Sequence, residues 1–307
     1  MTKTLDSSPS ILPLYARAAL PMIPGAGRLP FVPGGGGEIP DGLDLELAGV
    51  VAQPQDVAAY ARVCGFALRD SLPPTYPHML AFPLHMAVMS DGRFPFGAVG
   101  LVHVSNSISQ KRPIGVDEEM TIRVRPTKLQ PHPKGKTFSL ETEVLVDDEV
   151  VWESVSTMLR RGKGDESAKP EKSFDPLPEN APASAEWKLD GGLGRRYGGV
   201  SGDRNPIHMH SLTAKPLGFP SAIAHGMWTK ARALAQLESR LPDSFEVEVR
   251  FRKPILLPAK VEFASQEQGK EILFAVRNAK KGTPHLDGRV QPLKPVSKTA
   301  KTGRKNK

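Results

Sequence analysis

Cysteine and long apolar runs are both scarce in this sequence, and each scarcity excludes a class of protein. Cys64 is the single cysteine among 307 residues, so no intramolecular disulfide and no cysteine-based metal cage can form. No segment approaches the roughly 18 uninterrupted apolar residues that a membrane-spanning helix needs. The apolar stretch at residues 11–24 is broken by Arg17 and by prolines, and it has neither a preceding basic region nor a cleavage pattern typical of a signal peptide. We therefore expect a cytoplasmic protein.

Acidic residues are absent from residues 291–307, whereas six basic residues lie there. Without these six, the formal net charge falls from +8 to +2, so the remainder of the chain is nearly neutral. Because this end is polar and has no apolar periodicity, residues 294–307 are predicted to form a disordered basic tail. Such a tail either binds an acidic partner or nucleic acid, or only increases solubility. We do not expect nucleic-acid binding.

Residues 162–183 form a proline-rich, charged segment with almost no large apolar side chains, which is typical of an interdomain linker. The predicted organisation is an N-terminal lead (1–37), a first domain (38–161), the linker (162–183), a second domain (184–293) and the tail (294–307).

Three short sequence motifs recur in the same order on both sides of the linker, which argues for a duplicated domain. Residues 60–66 (YARVCGF) match residues 197–203 (YGGVSGD) at an offset of 137, but Phe66 stands where the later copy has Asp203. The other two matches, at offsets of 140 and 141, are His85-Met86 with His225-Gly226, and Lys111–Ile114 with Arg252–Ile255.

Each domain is predicted to contain one helix followed by alternating strands. In the second domain the helix begins near Gly226, and the strands are at 246–251, around 261–263 and at 272–276. In the first domain the helix is at 82–89, and the strands are at 97–108, 120–124, 138–146 and 150–159. One helix with several antiparallel strands, twice, predicts an α+β fold in which each curved sheet wraps a helix. Two such sheets would join edge to edge and cover those edges.

The stretch SGDRNPIH, residues 201–208, combines a carboxylate and an imidazole in a tight turn. Asp203 and His208 are too irregularly spaced for one helix face, but a turn brings them to one point. A carboxylate beside an imidazole is a standard means of holding and activating a water molecule. The same residues also fit a purely structural turn, in which Asp203 and Asn205 cap the backbone and His208 packs behind them.

The predicted helix start at Gly226 offers a second chemical group. A helix N-terminus has unpaired N–H groups and a positive dipole end, and glycine lets a ligand approach the backbone closely. The Gly226 N–H is therefore a candidate donor to an oxygen that gains negative charge. The alternative is that Gly226 only eases a tight entry into the helix.

Together these features give residues 197–227 a resemblance to the signature of the MaoC-like (R)-specific enoyl-CoA hydratase and 3-hydroxyacyl dehydratase family. The resemblance is carried by Tyr197, Ser201, Gly202, Asp203, Asn205, Pro206, His208, Ala214, Gly218, Phe219, His225, Gly226 and Met227. It implies a hot-dog fold. The whole chain resembles the double hot-dog members, in which an inactive N-terminal repeat is paired with an active C-terminal one.

The resemblance also implies a mechanism. Asp203 and His208 would hold a water and deliver it to C3 of a trans-2-enoyl thioester, while the Gly226 N–H polarises the thioester carbonyl. The reverse reaction dehydrates a (3R)-3-hydroxyacyl thioester of coenzyme A or acyl carrier protein, as in fatty-acid metabolism. No metal and no other cofactor is expected. The implied substrate-binding residues are Ser201, Asn205, His225 and Met227.

His210 departs from the family pattern, which commonly has an acidic or small hydroxyl residue at this position. The departure leaves the catalytic assignment intact but obscures the local bonding of the loop. Together with Asp203, His208 and His225, His210 also allows a metal-ligand interpretation. The hydratase signature accounts for the other three residues without a metal.

The first copy lacks the chemistry of the second, because Phe66 replaces the acid and the nearest carboxylate, Asp70, comes four residues late. We interpret the first copy as a scaffold that helps to shape an acyl pocket. The apolar candidates for that pocket are Phe66, Tyr76, Met79, Phe82 and Met86. The alternative is plain core packing, which we favour for most of them individually.

Two alternatives to a hydratase remain open at this point. The same fold also carries acyl-thioesterases, and a catalytically silent acyl-binding protein would need no active acid. Intact Asp203 and His208 argue against a silent protein. The sequence leaves open whether the chain forms a homodimer.

Overall fold

A computed structural model describes residues 2–20, 32–34, 36–169 and 173–293, and the strands of these residues form one continuous sheet. The strands before the predicted linker are β1 (Lys3–Leu5), β2 (Leu45–Val51), β3 (Val102–Gln110), β4 (Glu119–Pro126), β5 (Gln130–His132), β6 (Gly135–Val146) and β7 (Glu149–Arg161). Those after it are β8 (Ala185–Leu189), β9 (Phe245–Phe251), β10 (Ala259–Gln268), β11 (Glu271–Asn278) and β12 (Pro284–Pro292). The helices are α1 (Ile11–Ala19), α2 (Pro54–Cys64), α3 (Tyr76–Met89), α4 (Leu193–Ser201), α5 (Pro206–Met209), α6 (Ser211–Ala214) and α7 (Gly226–Leu237).

The order of the strands shows that the two halves share one topology. The sheet runs β1-β2-β4-β6-β7-β3-β9-β12-β11-β10-β8, with β5 paired to β6 outside this path. From the centre outward, the first half reads β3, β7, β6, β4, β2 and the second reads β9, β12, β11, β10, β8. The five strands of each half therefore have the same topology. This is the duplication that the three repeated motifs predict.

The two halves meet where β3 pairs with β9 in antiparallel register, with Asn106 opposite Val249 and Ile108 opposite Val247. This pairing confirms that the sheets join edge to edge, and it removes an exposed edge from each half. The described helices are not long and apolar enough for any of them to cross a membrane.

One helix from each half packs against the sheet as its central helix. In α7 the face formed by Met227, Ala231, Leu234 and Leu237 is buried, as its spacing predicts. The sequence predicts that the first central helix begins at Phe82, but α3 begins at Tyr76. Pro77 is compatible with this earlier start because a proline in the first helical turn loses no helical hydrogen bond.

The repeated tyrosine frame is a helix end in both copies. Helix α2 is followed by Gly65 with φ of 85°, and helix α4 by Gly202 with φ of 75°, so each helix stops at a left-handed glycine. The two frames also contact each other, because the rings of Tyr60 and Tyr197 have centroids 6.1 Å apart. What the sequence suggests as a turn is therefore a matched pair of helix C-termini.

Several segments differ from their sequence-based descriptions. The lead contains β1, which pairs in parallel with β2, and the helix α1. In the predicted linker, Phe174, Leu177 and Ala181 are buried against the second half of the sheet, so this part is not a free connector. The predicted strand at 97–108 begins only at Val102, and β1, β2, β5, β8 and β12 have no counterparts among the predicted strands. The predicted tail, residues 294–307, lies outside the described residues, and the domain boundaries stay a prediction.

Candidate active site

The loop that follows α4 brings Asp203 and His208 together. Gly202 turns the chain sharply through its left-handed conformation just before Asp203. Asn205 then caps α5, because its Oδ1 accepts the N–H of the second residue of that helix at 3.4 Å. Behind the loop, the Oγ of Ser201 accepts the Asp203 N–H at 3.2 Å. This local bonding is what the sequence-based turn requires.

His208 is buried and held in one neutral form. Its Nδ1 lies 2.8 Å from the carbonyl oxygen of Ile223, which can only accept, so Nδ1 carries the proton. The lone pair of the neutral imidazole is therefore on Nε2. His208 is thus prepared to accept a hydrogen bond or a proton at Nε2.

His225 connects the loop to the N-terminus of α7. Its Nε2 donates to the backbone carbonyl of Asp203 at 2.9 Å and lies 3.8 Å from that residue's Oδ2. Its ring stacks on His208, with centroids 3.6 Å apart and planes at 23°. His225 therefore contacts both the backbone of Asp203 and the ring of His208.

Gly226 is the first residue of α7, so its N–H has no acceptor within the helix. A Cβ at this position would lie 3.0 Å from Cε1 of Phe251, which is closer than ordinary van der Waals contact. Glycine is needed here because the phenyl ring covers the helix end. Gly226 lines the same cavity as Asp203 and His208.

The site holds a carboxylate among neutral imidazoles. Burial raises the pKa of Asp203, but the neighbouring His225 and His208 and the hydroxyl of Tyr15 outweigh it, so the net pKa lies below the ordinary value. Burial lowers the pKa of His208, and it lowers the pKa of His225 to about 3 despite the nearby carboxylate. At neutral pH, Asp203 is therefore ionised and both histidines are uncharged.

A cavity of about 340 Å³ extends from these residues toward the first half of the chain. Its far wall comes largely from α3, whose lining side chains are His78, Met79, Phe82, His85, Met86 and Met89. Met79, Phe82 and Met86 thus lie where the pocket interpretation places them. Phe66 precedes α3 and Tyr76 is the first residue of α3; both are buried in the core and do not line the cavity. These two residues fit the core-packing alternative.

Three exposed cations also line the cavity, one from the first half and two from the second. They are Arg161, Arg252 and Lys253. Arg252 is partly neutralised by Asp287, whose Oδ2 lies 3.2 Å from its Nε. The accessible edge of the cavity therefore has a positive character.

The predicted substrate-binding residues do not all reach the cavity. Asn205, His225 and Met227 line it, whereas Ser201 does not. Ser201 is buried, and its contact with the Asp203 N–H supports a part in holding the loop.

His210 lies outside this group and has a structural role. It caps α6, with its exposed ring accepting the Leu212 N–H at Nδ1 over 3.2 Å. The family's usual acidic or hydroxyl residue would suit the same cap, which accounts for the departure at this position. Asp203, His208 and His225 have potential ligand atoms within 4.8 Å of one another, and His210 is not among them.

One residue of the site has no signal in the sequence. Tyr15, from α1, donates its hydroxyl to Oδ1 of Asp203 at 2.8 Å and lines the cavity. The two residues are 188 positions apart, so only the tertiary fold brings them together.

The fold and the site together define a class of protein: two helix-wrapping repeats in one sheet, with Asp203 and His208 beside the N-terminus of the second central helix. A family model described as "MaoC like domain" matches residues 179–288, which contain that pair. The chain belongs to the MaoC-like dehydratase family and has its double hot-dog fold.

Individual relatives support this assignment. The chain is 38% identical over 278 residues to 3-hydroxyacyl-thioester dehydratase X of Mycobacterium tuberculosis, across 91% of this chain and 95% of the relative. A crystal structure of HtdX from Mycobacterium tuberculosis superposes with a TM-score of 0.73 at 37% identity, covering 81% of this chain and 100% of the other. A MaoC-like dehydratase from Phytophthora capsici shares the fold at 19% identity, with a TM-score of 0.68 over 82% and 95% of the two chains.

Proposed function

We propose that this MaoC-like dehydratase hydrates trans-2-enoyl thioesters to (3R)-3-hydroxyacyl thioesters and catalyses the reverse dehydration, as a lyase with one active site per chain. The observation that carries the proposal is that Asp203, His208 and Gly226 line one cavity, with the Nδ1 of His208 bonded to the Ile223 carbonyl so that its Nε2 is free to accept. A carboxylate and a neutral imidazole side by side bind a water molecule and accept its proton.

In the hydration direction, the oxygen of the bound water attacks C3 of the enoyl group. The electron pair of the C2–C3 double bond moves toward C2 and the thioester carbonyl, which becomes an enolate. The proton lost by the water passes to the Asp203–His208 pair and then to C2, which restores the carbonyl. Water and product therefore balance without a redox group.

The enolate oxygen needs a donor, and the N-terminus of α7 supplies one. The Gly226 N–H has no acceptor in its helix and lies at the positive end of the helix dipole. By analogy with other oxyanion-hole donors, this contact contributes about 3 kcal/mol to lowering the barrier.

The first repeat offers no second site. Phe66 replaces the acid, and Met86, which corresponds to Gly226, lies deep inside α3 instead of at its start. Its N–H therefore belongs to the helical ladder and is not available to a substrate.

We further propose that the substrate is carried by coenzyme A or by acyl carrier protein, with the carrier at the positive edge of the cavity. Arg161, Arg252 and Lys253 suit the phosphate groups that both carriers bring. Matched acyl groups on the two carriers, compared by kcat/KM, decide between them.

The experiment that tests the proposed reaction uses trans-2-enoyl-CoA substrates of several chain lengths. Loss of the enoyl absorbance, formation of the (3R) product on a chiral column and no release of free thiol are the expected results. Release of free thiol with retention of the double bond would instead indicate a thioesterase. Binding without any turnover would indicate a silent acyl-binding protein.

The cytoplasmic location and the oligomeric state are also proposals. From the sequence we propose that the protein acts on carrier-bound acyl groups in the cytoplasm. Cell fractionation tests this location. Light scattering coupled to size-exclusion chromatography measures whether the chain is a monomer or a homodimer.

A further inference from the structure

Helix α1 belongs to the predicted lead, yet it packs directly on the catalytic loop. The preceding strand β1 pairs with β2, which anchors the lead to the edge of the sheet. The Oγ of Ser90, at the end of α3, donates to the carbonyl of Leu14 at 3.4 Å. Ile11 lies against Gly202, where an added Cβ would come within 2.5 Å of its Cδ1. The lead is therefore held between the first central helix and the loop of the second repeat.

Tyr15 extends from this helix to the catalytic acid. Its half-buried ring lines the cavity, and its hydroxyl donates to Oδ1 of Asp203 at 2.8 Å. The same Oδ1 also accepts the Asn205 N–H at 3.2 Å. Two donors thus occupy Oδ1, and the other oxygen, Oδ2, lies on the side of His225, 3.8 Å from its Nε2.

We propose that Tyr15 is a positioning residue for the reaction, which fixes the Asp203 carboxylate so that Oδ2 is directed at the reacting water. This inference rests on the proposed hydratase function, and it places part of the active site outside residues 179–288, the range of the MaoC-like model. The lead helix is then a component of the catalytic apparatus of this chain and not an appendage.

The chemistry of Tyr15 supports a role through Asp203. Burial and the adjacent carboxylate raise the pKa of Tyr15 well above its ordinary value, so the hydroxyl keeps its proton and acts as a donor. Its hydrogen bond stabilises the charged form of Asp203, and it is one of the contacts that lower the pKa of that residue. Loss of the hydroxyl would leave the carboxylate freer to rotate and easier to protonate.

The test is Tyr15→Phe, which removes only the hydroxyl. A hydrogen bond to a charged group is worth enough that kcat should fall by about tenfold to a hundredfold, with little change in KM. The acidic limb of the pH profile of kcat/KM should move to higher pH by about one to two units, since the hydrogen bond no longer favours the carboxylate. Circular dichroism and thermal melting establish that the variant is folded.

Tyr76→Phe is the matched control, because it makes the same chemical change in a core tyrosine whose hydroxyl has no hydrogen bond to a described residue and which does not line the cavity. This variant should retain the wild-type pH profile. A second measurement uses 3-fluorotyrosine at position 15. As a stronger hydrogen-bond donor, it should move the acidic limb in the opposite direction, to lower pH.

The outcomes separate the two claims. If the wild type is active but Tyr15→Phe keeps the wild-type kcat and pH profile, the positioning role is wrong and the hydratase function stands. If the fall in kcat comes without any movement of the acidic limb in either variant at position 15, Tyr15 does not act through Asp203, and the inference is also wrong. A wild-type protein that hydrates no enoyl thioester overturns the function and, with it, this inference.

Discussion

The buried histidines predict a steep loss of stability in mild acid. Burial lowers the pKa of His85 to about 3, of His103 to about 4 and of His225 to about 3. Since each folded pKa lies below the unfolded value of 6.5, the unfolded chain takes up protons that the folded chain rejects as the pH falls. The stability is complete above pH 6.5 and is lost progressively toward the folded pKa values.

The size of the effect follows from counting these protons. Each histidine changes the free energy of unfolding by about 1.4 kcal/mol per pH unit, so three together change it by about 4 kcal/mol per unit. Asp203, with a lowered pKa, adds to the loss at lower pH. At this slope about 5 kcal/mol, the lower end of typical protein stability, is lost within roughly one pH unit, and about 10 kcal/mol within roughly two and a half.

Urea unfolding at a series of pH values from neutral to acidic measures this slope. His85→Gln keeps a polar contact to Thr142, whose Oγ1 lies 2.8 Å from the His85 Nε2, and should reduce the slope by about 1.4 kcal/mol per pH unit. The control is His210→Asn, which replaces an exposed ring with another good N-cap residue and should leave the slope unchanged. A His85→Gln slope equal to that of the wild type would show that His85 does not take up a proton on unfolding in acid.

Two further predictions concern Gly226 and Lys230. Gly226→Ala places a Cβ against the Phe251 ring, so we expect kcat to fall by about tenfold or more as the N–H is displaced from the enolate oxygen. Phe251→Leu added to it should recover part of the rate, and failure to recover any would contradict the steric explanation. The Lys230 Nζ is fully buried and donates to the backbone carbonyls of Asn106 and Val247, both at 3.2 Å, where β3 and β9 meet. Lys230→Met should therefore lower the free energy of unfolding by about 1–3 kcal/mol, measured by urea denaturation, and an unchanged value would show that this linkage does not stabilise the seam.

Elements with a clear apolar period are predictable in both repeats. Helix α7 and strands β9, β10 and β11 have clear periods of apolar residues, so their approximate positions follow from the sequence. Strand β12 was missed because its sequence, PHLDGRVQP, has prolines at both ends and Gly288 in the middle. The structure explains the glycine, since the Phe274 ring occupies the space that a Cβ would need. Packing decides this strand, and packing is not visible in the local pattern.

The residues of the site also differ in how well the local sequence predicts them. Asp203, His208 and Gly226 are recognisable because one short stretch of chain and one helix start carry them. Tyr15 is not, because its contact with Asp203 spans 188 positions and depends on where the lead helix docks. Phe66 aligns with Asp203 in the sequence register, and its side chain lies in the core and not in the cavity, as the core-packing interpretation expects.

The proposed function depends above all on Asp203, which activates water at the single active site of the chain. The direct measurement is kcat/KM for hydration of crotonyl-CoA by Asp203→Asn, with Asp70→Asn as the control, because Asp70 is an exposed acid close to the corresponding position of the first repeat. We expect Asp203→Asn to lower kcat/KM by a factor of about 10² to 10⁴, while Asp70→Asn stays at the wild-type value. An Asp203→Asn enzyme within a few-fold of the wild type would contradict this role of Asp203.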